Sequence, residues 1–259
     1  MGSEKITNHT LIRMYRKRTY RSLTYGSHLT SFEVVVRETD LFVHAAKSLE
    51  KETRELILQY RGYIESYINR YPEFASTLCP WHEGGPAPII IQDMTAAGKK
   101  AGTGPMAAVA GAIAEHVGRG LLSYTDEVFV ENGGDIFLRT EGPVTVGIFA
   151  GQSPLSMRIG LKFDNSEKKP FAVCTSSGTV GHSLSMGKAD AICVVSDSAS
   201  LADAAATAVG NLIRSETDIR KGIDFGKNIE GVRGIVVITG DKIGGWGEIE
   251  IVPIREKKG

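Results

Sequence analysis

Apolar and polar positions alternate with a period of two early in the chain. Residues 10–45 read as β structure, with Ser31–Arg37 (SFEVVVR) and Asp40–His44 (DLFVH) as β-branched and aromatic runs separated by the polar pair Glu38-Thr39. The period then lengthens. Leu49, Leu56, Leu58, Tyr60, Ile64 and Ile68 recur at helical spacing and predict a helix over Ala46–Arg70, stopped by Pro72. Lys51, Glu52, Arg54 and Glu55 give it a solvated face. Residues 73–104 carry many turn formers and read as a long irregular, functional loop. Gly102-Thr103-Gly104-Pro105 has the features of a helix start and predicts a second helix over Met106–Leu122. Its AAVAGAIAEHVGRG run of small residues implies a partner packed very close to its backbone.

From Asp126 onward short apolar runs predict strands at Glu127–Glu131, Ile136–Thr140, Val144–Ala150, Arg158–Phe163, Phe171–Thr175 and Ala191–Ser196. A third helix over Leu201–Arg214 and a fourth element over Asp218–Phe225 follow, and the strands Arg233–Thr239 and Gly247–Ile254 close the chain. With no βαβ alternation and no internal repeat, the expected class is α+β: a mixed or antiparallel sheet with helices packed against one face. No linker divides the 259 residues, so a single domain over 1–259 is expected.

Thirty basic residues balance thirty acidic ones, which argues against a nucleic-acid partner. The one basic cluster, Arg13, Arg16, Lys17, Arg18 and Arg21, is interleaved with Tyr15, Tyr20 and Tyr25, as in a half-exposed strand. Cys79, Cys174 and Cys193 form no CxxC or zinc spacing and read as reduced thiols, the last two buried in apolar strands. MGSEKITNHT lacks an apolar signal core and no stretch approaches a membrane span, so a cytoplasmic protein, neither membrane-bound nor an exported lipoprotein, is expected. Trp246 among Gly244, Gly245 and Gly247 reads equally as a contact surface of a homo-oligomer or as a core anchor.

Three segments carry candidate chemistry. In Glu131-Asn132-Gly133-Gly134-Asp135-Ile136 the Gly-Gly pair suits a hairpin turn and also lets backbone N–H groups approach a ligand. Thr175-Ser176-Ser177-Gly178-Thr179-Val180-Gly181-His182-Ser183 is hydroxyl-rich, fit either for phosphate oxygens or for a solvated surface loop, and His182 can move a proton near neutrality. In Ser198–Ala208, Ser200 and Asp203 could begin a helix as a capping-box-like pair, yet Asp203 and Thr207 stand four apart. They share one helix face at about 5–6 Å between Cβ atoms. A carboxylate and a hydroxyl among alanines suit a hard cation such as Mg²⁺.

ENGGDI (131–136), TSSG (175–178) followed by a histidine, and D-x-x-x-T in ADAAATA (202–208) occur in the order found in the ApbE family of FAD:protein FMN transferases, and GAIAE (111–115) is similar to that family's GAIAKG segment. The resemblance covers roughly residues 105–210. It implies an ApbE-like fold, a cleft for FAD, and Mg²⁺-assisted attack on the pyrophosphate that passes FMN to a Ser or Thr of a protein acceptor or hydrolyses FAD to FMN and AMP. Carried over, Asp203 and Thr207 would be metal ligands, joined by a main-chain carbonyl in the 111–114 stretch. Asn132, Gly133, Gly134 and Asp135 would line the nucleotide site beside Thr175, Ser176, Ser177 and Gly178, and His182 would be the catalytic base.

Three departures stand against it. The family's His-x-x-Asp-Pro-x-x-Gly block reads His182-Ser183-Leu184-Ser185-Met186-Gly187-Lys188-Ala189-Asp190, with Asp190 as a substitute from another place. Glu115 replaces the GAIAKG lysine, and the family's N-terminal flavin-binding segment has no clear counterpart. The losses match an uncharacterised cytoplasmic branch whose members are associated with sulfur assimilation in anaerobic archaea. Beside the Mg²⁺-dependent enzyme stand two other readings: a non-catalytic flavin or nucleotide binder, and an accessory protein of sulfur metabolism in which Cys174 and Cys193 would matter.

Overall fold

The computed structural model describes residues 29–82, 85–179 and 187–254. The Arg13–Arg21 cluster and His182 lie outside them. Eight strands form one antiparallel sheet in the order β1-β2-β3-β4-β7-β8-β9-β10: β1 (Thr30–Val36), β2 (Thr39–Ala45), β3 (Val128–Asn132), β4 (Asp135–Arg139), β7 (Phe171–Ser176), β8 (Ala191–Ser196), β9 (Val232–Thr239) and β10 (Lys242–Gly247). A second antiparallel sheet runs β11-β6-β5, from Glu250–Pro253, Ile159–Phe163 and Val144–Gly147. The fold is α+β.

Strand alternation sorts the large sheet into two cores. Val43, Val130, Phe137, Ala172, Cys174, Val194 and Val237 face the helices. Phe129, Ile136, Leu138, Val173, Cys193, Val195 and Val236 face the small sheet. Helices cover one face as expected, and the small sheet closes the other. The helices are α1 (Glu50–Arg70), α2 (Ile89–Ala101), α3 (Val109–Leu121), α4 (Ala199–Leu212) and α5 (Ile219–Gly226).

Four expectations are corrected. Residues 73–104 are not one loop. Pro88 begins α2, which buries Ile90, Ile91, Met94, Ala97 and Ala101 and ends on left-handed Gly102 (φ 73°). A triple isoleucine is weak as local helix signal, and packing onto the other helices decides. α1 starts at Glu50 because β2 runs on to Ala45; its buried face includes Ile57, while Leu58 is 55% exposed. The second helix begins as a 3-10 turn at Pro105–Ala108 before α3. The expected closing strand Gly247–Ile254 is shortened to β11, and a further strand, β10, precedes it; left-handed Gly247 (φ 95°) ends β10, and the two strands belong to different sheets.

The small residues of α3 behave as expected. A Cβ on Gly111 would stand 2.3 Å from the Ala199 carbonyl oxygen and 2.8 Å from the Asp203 Cβ, and one on Gly118 would stand 2.2 Å from the Phe137 ring. Gly118→Ala is expected to cost about 1–3 kcal/mol by overpacking, measured by urea unfolding.

His44, 5% exposed between the Phe42 and Phe129 rings, has its pKa pushed down to about 4 by burial. The unfolded chain takes up this proton near pH 6.5, the folded chain only near 4. Stability is therefore whole above pH 6.5 and is lost as pH falls toward 4, by about 3 kcal/mol in all. Urea midpoints at pH 7.5, 5.5 and 4 should show the fall, and His44→Leu should remove that component.

Candidate functional site

The β3–β4 turn places the first group of residues. Asn132 pairs with Asp135 across it, and Gly133 (φ 68°) and Gly134 (φ 109°) adopt the positive angles of a tight two-residue hairpin. The Gly134 N–H donates to Glu131 Oε1 at 2.7 Å. Phe137 faces the helices, so Asp135 and its partner Asn132 face them too. The Asn132 Nδ2 donates to the Ala110 carbonyl at 3.0 Å, tying the turn to the start of α3.

α4 brings the second group. Its cap is Ser198, whose Oγ accepts from the Leu201 N–H, rather than Ser200. Glu115 completes the cap: its Oε2 accepts from Ser198 Oγ (3.1 Å) and from the Ala199 (2.7 Å) and Ser200 (3.4 Å) N–H groups. Asp203 is thereby released from capping duty, and its Oδ2 accepts from the Gly111 N–H at 2.9 Å. The 111–114 stretch thus meets Asp203 with a helix N-terminal N–H, not with a carbonyl, because these residues form the first turns of α3. Thr207 lies half-buried one turn further along the same face of α4.

β7 runs beside α4. The Cys174 thiol, opposite Asp135 in the sheet, donates to the Ala199 carbonyl at 3.4 Å. Two residues on, Ser176 faces the same way, and its buried Oγ has no hydrogen-bond partner. The other described residues of the hydroxyl run point elsewhere. Thr175 turns to the other face and meets Cys193 Sγ at 3.3 Å, Ser177 pairs with Thr179 at 3.3 Å, and Gly178 packs against the Gly187 carbonyl. Asp190 is a strut, accepting from the Thr179 hydroxyl and the Gly240 N–H.

Electrostatically the centre lacks positive charge. Burial, and then the charge of Asp203, push the Asp135 carboxyl well above its ordinary range. Burial likewise raises Asp203 to about 7, against the two N–H groups of residues 110 and 111 that lower it. One Asp135 oxygen, Oδ1, is buried with no hydrogen-bond partner. Two neighbouring carboxylates, one of them with an orphaned oxygen, and the Ser176 hydroxyl fit a hard divalent cation that takes few protein oxygens and fills its shell with water and phosphate. Among the described residues no group of three or more His, Cys, Asp or Glu is arranged to hold a metal by itself.

Next to this centre a cleft of about 330 Å³ opens between α1, the β1–β2 turn and the start of α3. Asn132 and Ala110 form the side it shares with the carboxylates. The sequence pattern does not reveal Arg61, which lines this cleft, or the capping role of Glu115. Arg61 looks like any cation on a solvated helix face, and its partners Glu38 and Thr39 are 22 or more residues away. Glu115 is visible in sequence only as a substitution.

A family model described as AbpE bacteria matches residues 21–240, and the chain belongs to that family. Relatives named UPF0280 protein include one from Methanococcus aeolicus, 41% identical over 85% of this chain and 88% of its own length, and one from Methanocella arvoryzae, 43% identical over 83% and 87%. Among solved structures, the apo flavinyl transferase ApbE of Pseudomonas stutzeri (TM-score 0.56, 14% identity) and the flavin transferase ApbE of Vibrio cholerae (TM-score 0.53, 11% identity) each match 85% of this chain and 94% and 96% of their own. They share its fold. No helix among the described residues is long and apolar enough to cross a membrane.

Proposed function

We propose that the chain is a Mg²⁺-assisted flavin-nucleotide enzyme acting on the FAD pyrophosphate, with FMN passed to a protein hydroxyl or to water. The single observation that carries this is the Asp135–Asp203 carboxylate pair beside a glycine turn, with buried oxygens left over on Asp135 and Ser176. Fold likeness to flavin transferases and membership of the family support it.

Asp203, Thr207 and Asp135 would hold the cation. Bound there, it supplies the charge neutralisation that pyrophosphate cleavage needs more than covalent help. The chain's own residues orient the substrate. Gly133 and Gly134 carry no side chain between their backbone and the phosphates. Asn132 is fixed by the Ala110 carbonyl at the border between cleft and carboxylates. The Gly111 N–H, at the positive end of α3, holds the Asp203 carboxylate in place. His182, which follows β7 in the sequence and lies outside the described residues, is the proposed base that takes the proton of the attacking hydroxyl, a contribution of about 10²–10⁴-fold.

The test is AMP release from FAD with and without Mg²⁺. Release that disappears with EDTA supports the enzyme; tight FAD binding without AMP supports the non-catalytic binder, which the broken histidine block favours. Thiol chemistry has little support. Burial raises the Cys174 thiol strongly and the Cys193 thiol to about 11, so neither forms a thiolate at neutral pH.

A further inference from the structure

We infer that the cleft between α1 and α3 takes the isoalloxazine end of the flavin nucleotide, with Arg61 and Glu65 reading the polar edge of the ring; this rests on the flavin-nucleotide reading above. Position comes first. The cleft and the carboxylate centre meet at adjacent residues of one helix start: Ala110 lines the cleft and holds Asn132, and Gly111 holds Asp203. A molecule with its pyrophosphate at the carboxylates therefore has room for a ring on the far side of Asn132.

Charge decides what that ring is. One wall carries Arg61, bonded to Glu38 (2.7 Å), Glu65 (2.9 Å) and Thr39 (2.9 Å), while Arg37 also pairs with Glu65 (3.0 Å). Two cations and two anions make a neutral network, which has no net attraction for phosphate yet offers both donors and acceptors. The Arg61 side chain is only 16% exposed and is held by three partners, so its fork is preorganised. The pyrimidine edge of an isoalloxazine presents two carbonyl acceptors flanking one N–H donor, which a guanidinium and a carboxylate complement together.

Apart from Asn132, the rest of the lining is apolar: Ile64 and Ile68 beside Arg61 on α1, and Met106, Val109 and Ile113 across from them at the start of α3. It matches the dimethylbenzene end and the flat faces of a tricyclic ring. Adenine is polar around most of its rim and has no comparable apolar end. A volume of about 330 Å³ lies at the small end of ligand pockets, suited to one fused ring system and not to a whole dinucleotide.

Two probes separate the ends of the substrate: riboflavin, which has the ring without phosphate, and ADP with Mg²⁺, which has the pyrophosphate without the flavin. Riboflavin fluorescence quenching and calorimetry would be run on the full chain and on Arg61→Met, Val109→Trp and Asp203→Asn, each checked for an unchanged unfolding cooperativity. Arg61→Met and Val109→Trp are expected to weaken riboflavin at least tenfold and leave ADP within twofold; Asp203→Asn is expected to do the reverse. The inference is overturned if the wild-type chain does not bind riboflavin, if both cleft variants bind it normally, or if they lose ADP instead, which would put adenine in the cleft. Absence of AMP release with riboflavin binding intact would overturn the enzyme reading alone.

Discussion

Asp203→Asn is expected to abolish AMP release from FAD, by about a thousandfold or more, and at the same time to raise the melting temperature of the metal-free protein at pH 8. Both effects have one cause. Asparagine keeps an oxygen for the Gly111 N–H but removes the charge that acts on Asp135. The sign follows from the two pKa values: about 4 for an unfolded aspartate and about 7 for Asp203 in the fold. Below pH 4 the carboxyl is protonated in both states and costs nothing. As pH rises from 4 to 7 the unfolded chain ionises more readily, and stability falls by an order of a few kcal/mol, a loss that persists at pH 8. The amide of the variant cannot ionise and escapes that loss, and added Mg²⁺ should stabilise the wild type but not the variant. Calorimetric scans at pH 5 and 8, with and without Mg²⁺, read all of this. A variant that is less stable than wild type at pH 8 without metal would remove the electrostatic basis of the site.

Glu115→Ala is the largest expected stability change. The carboxylate has 9% of its side chain exposed, accepts from three groups at the start of α4 and is paired with Arg119 through its other oxygen at 2.8 Å. Removing it leaves the buried Ala199 and Ser200 amides without that acceptor, while the half-exposed Arg119 guanidinium over the Phe137 ring turns to solvent. Each buried amide left without an acceptor costs about 1–3 kcal/mol, read together as a shift of the urea midpoint. Glu115→Lys, the residue of the similar GAIAKG segment, should be worse, because it sets a cation against the positive end of α4. Glu115→Gln should recover part of the loss, since it still accepts from the amides. The departure at position 115 is thus a structural necessity of this chain's α3–α4 contact.

That contact shows how far local pattern carries. Periodicity located α1, α3, α4 and α5 and nearly all the strands, because each buries one face against a common sheet and the apolar spacing records which face. The helix α2 escaped, since its burial is against other helices and its Ile-Ile-Ile start, between two prolines and a glycine, has no local helical preference. The Gly133-Gly134 turn was legible because two consecutive positive φ angles demand glycine. Asp203 was legible as an acid among alanines, but whether it capped its own helix or faced another depended on Ser198 and Glu115, 83 residues apart in sequence. The hydroxyl run was legible only as composition: strand alternation sends Ser176 to one face and Thr175 to the other, and only pairing with β4 and β8 says which face holds Asp135.

The order of the motifs, the α+β class and the small-residue seam of α3 are written in the chain itself, because backbone dihedrals, alternation and steric room are properties of a residue and its near neighbours. Which carboxylates meet, which hydroxyl is left over and where an Arg61-lined hollow opens depend on contacts across the sheet and between helices. Their energies belong to pairs far apart in sequence, and only the folded arrangement brings those pairs together.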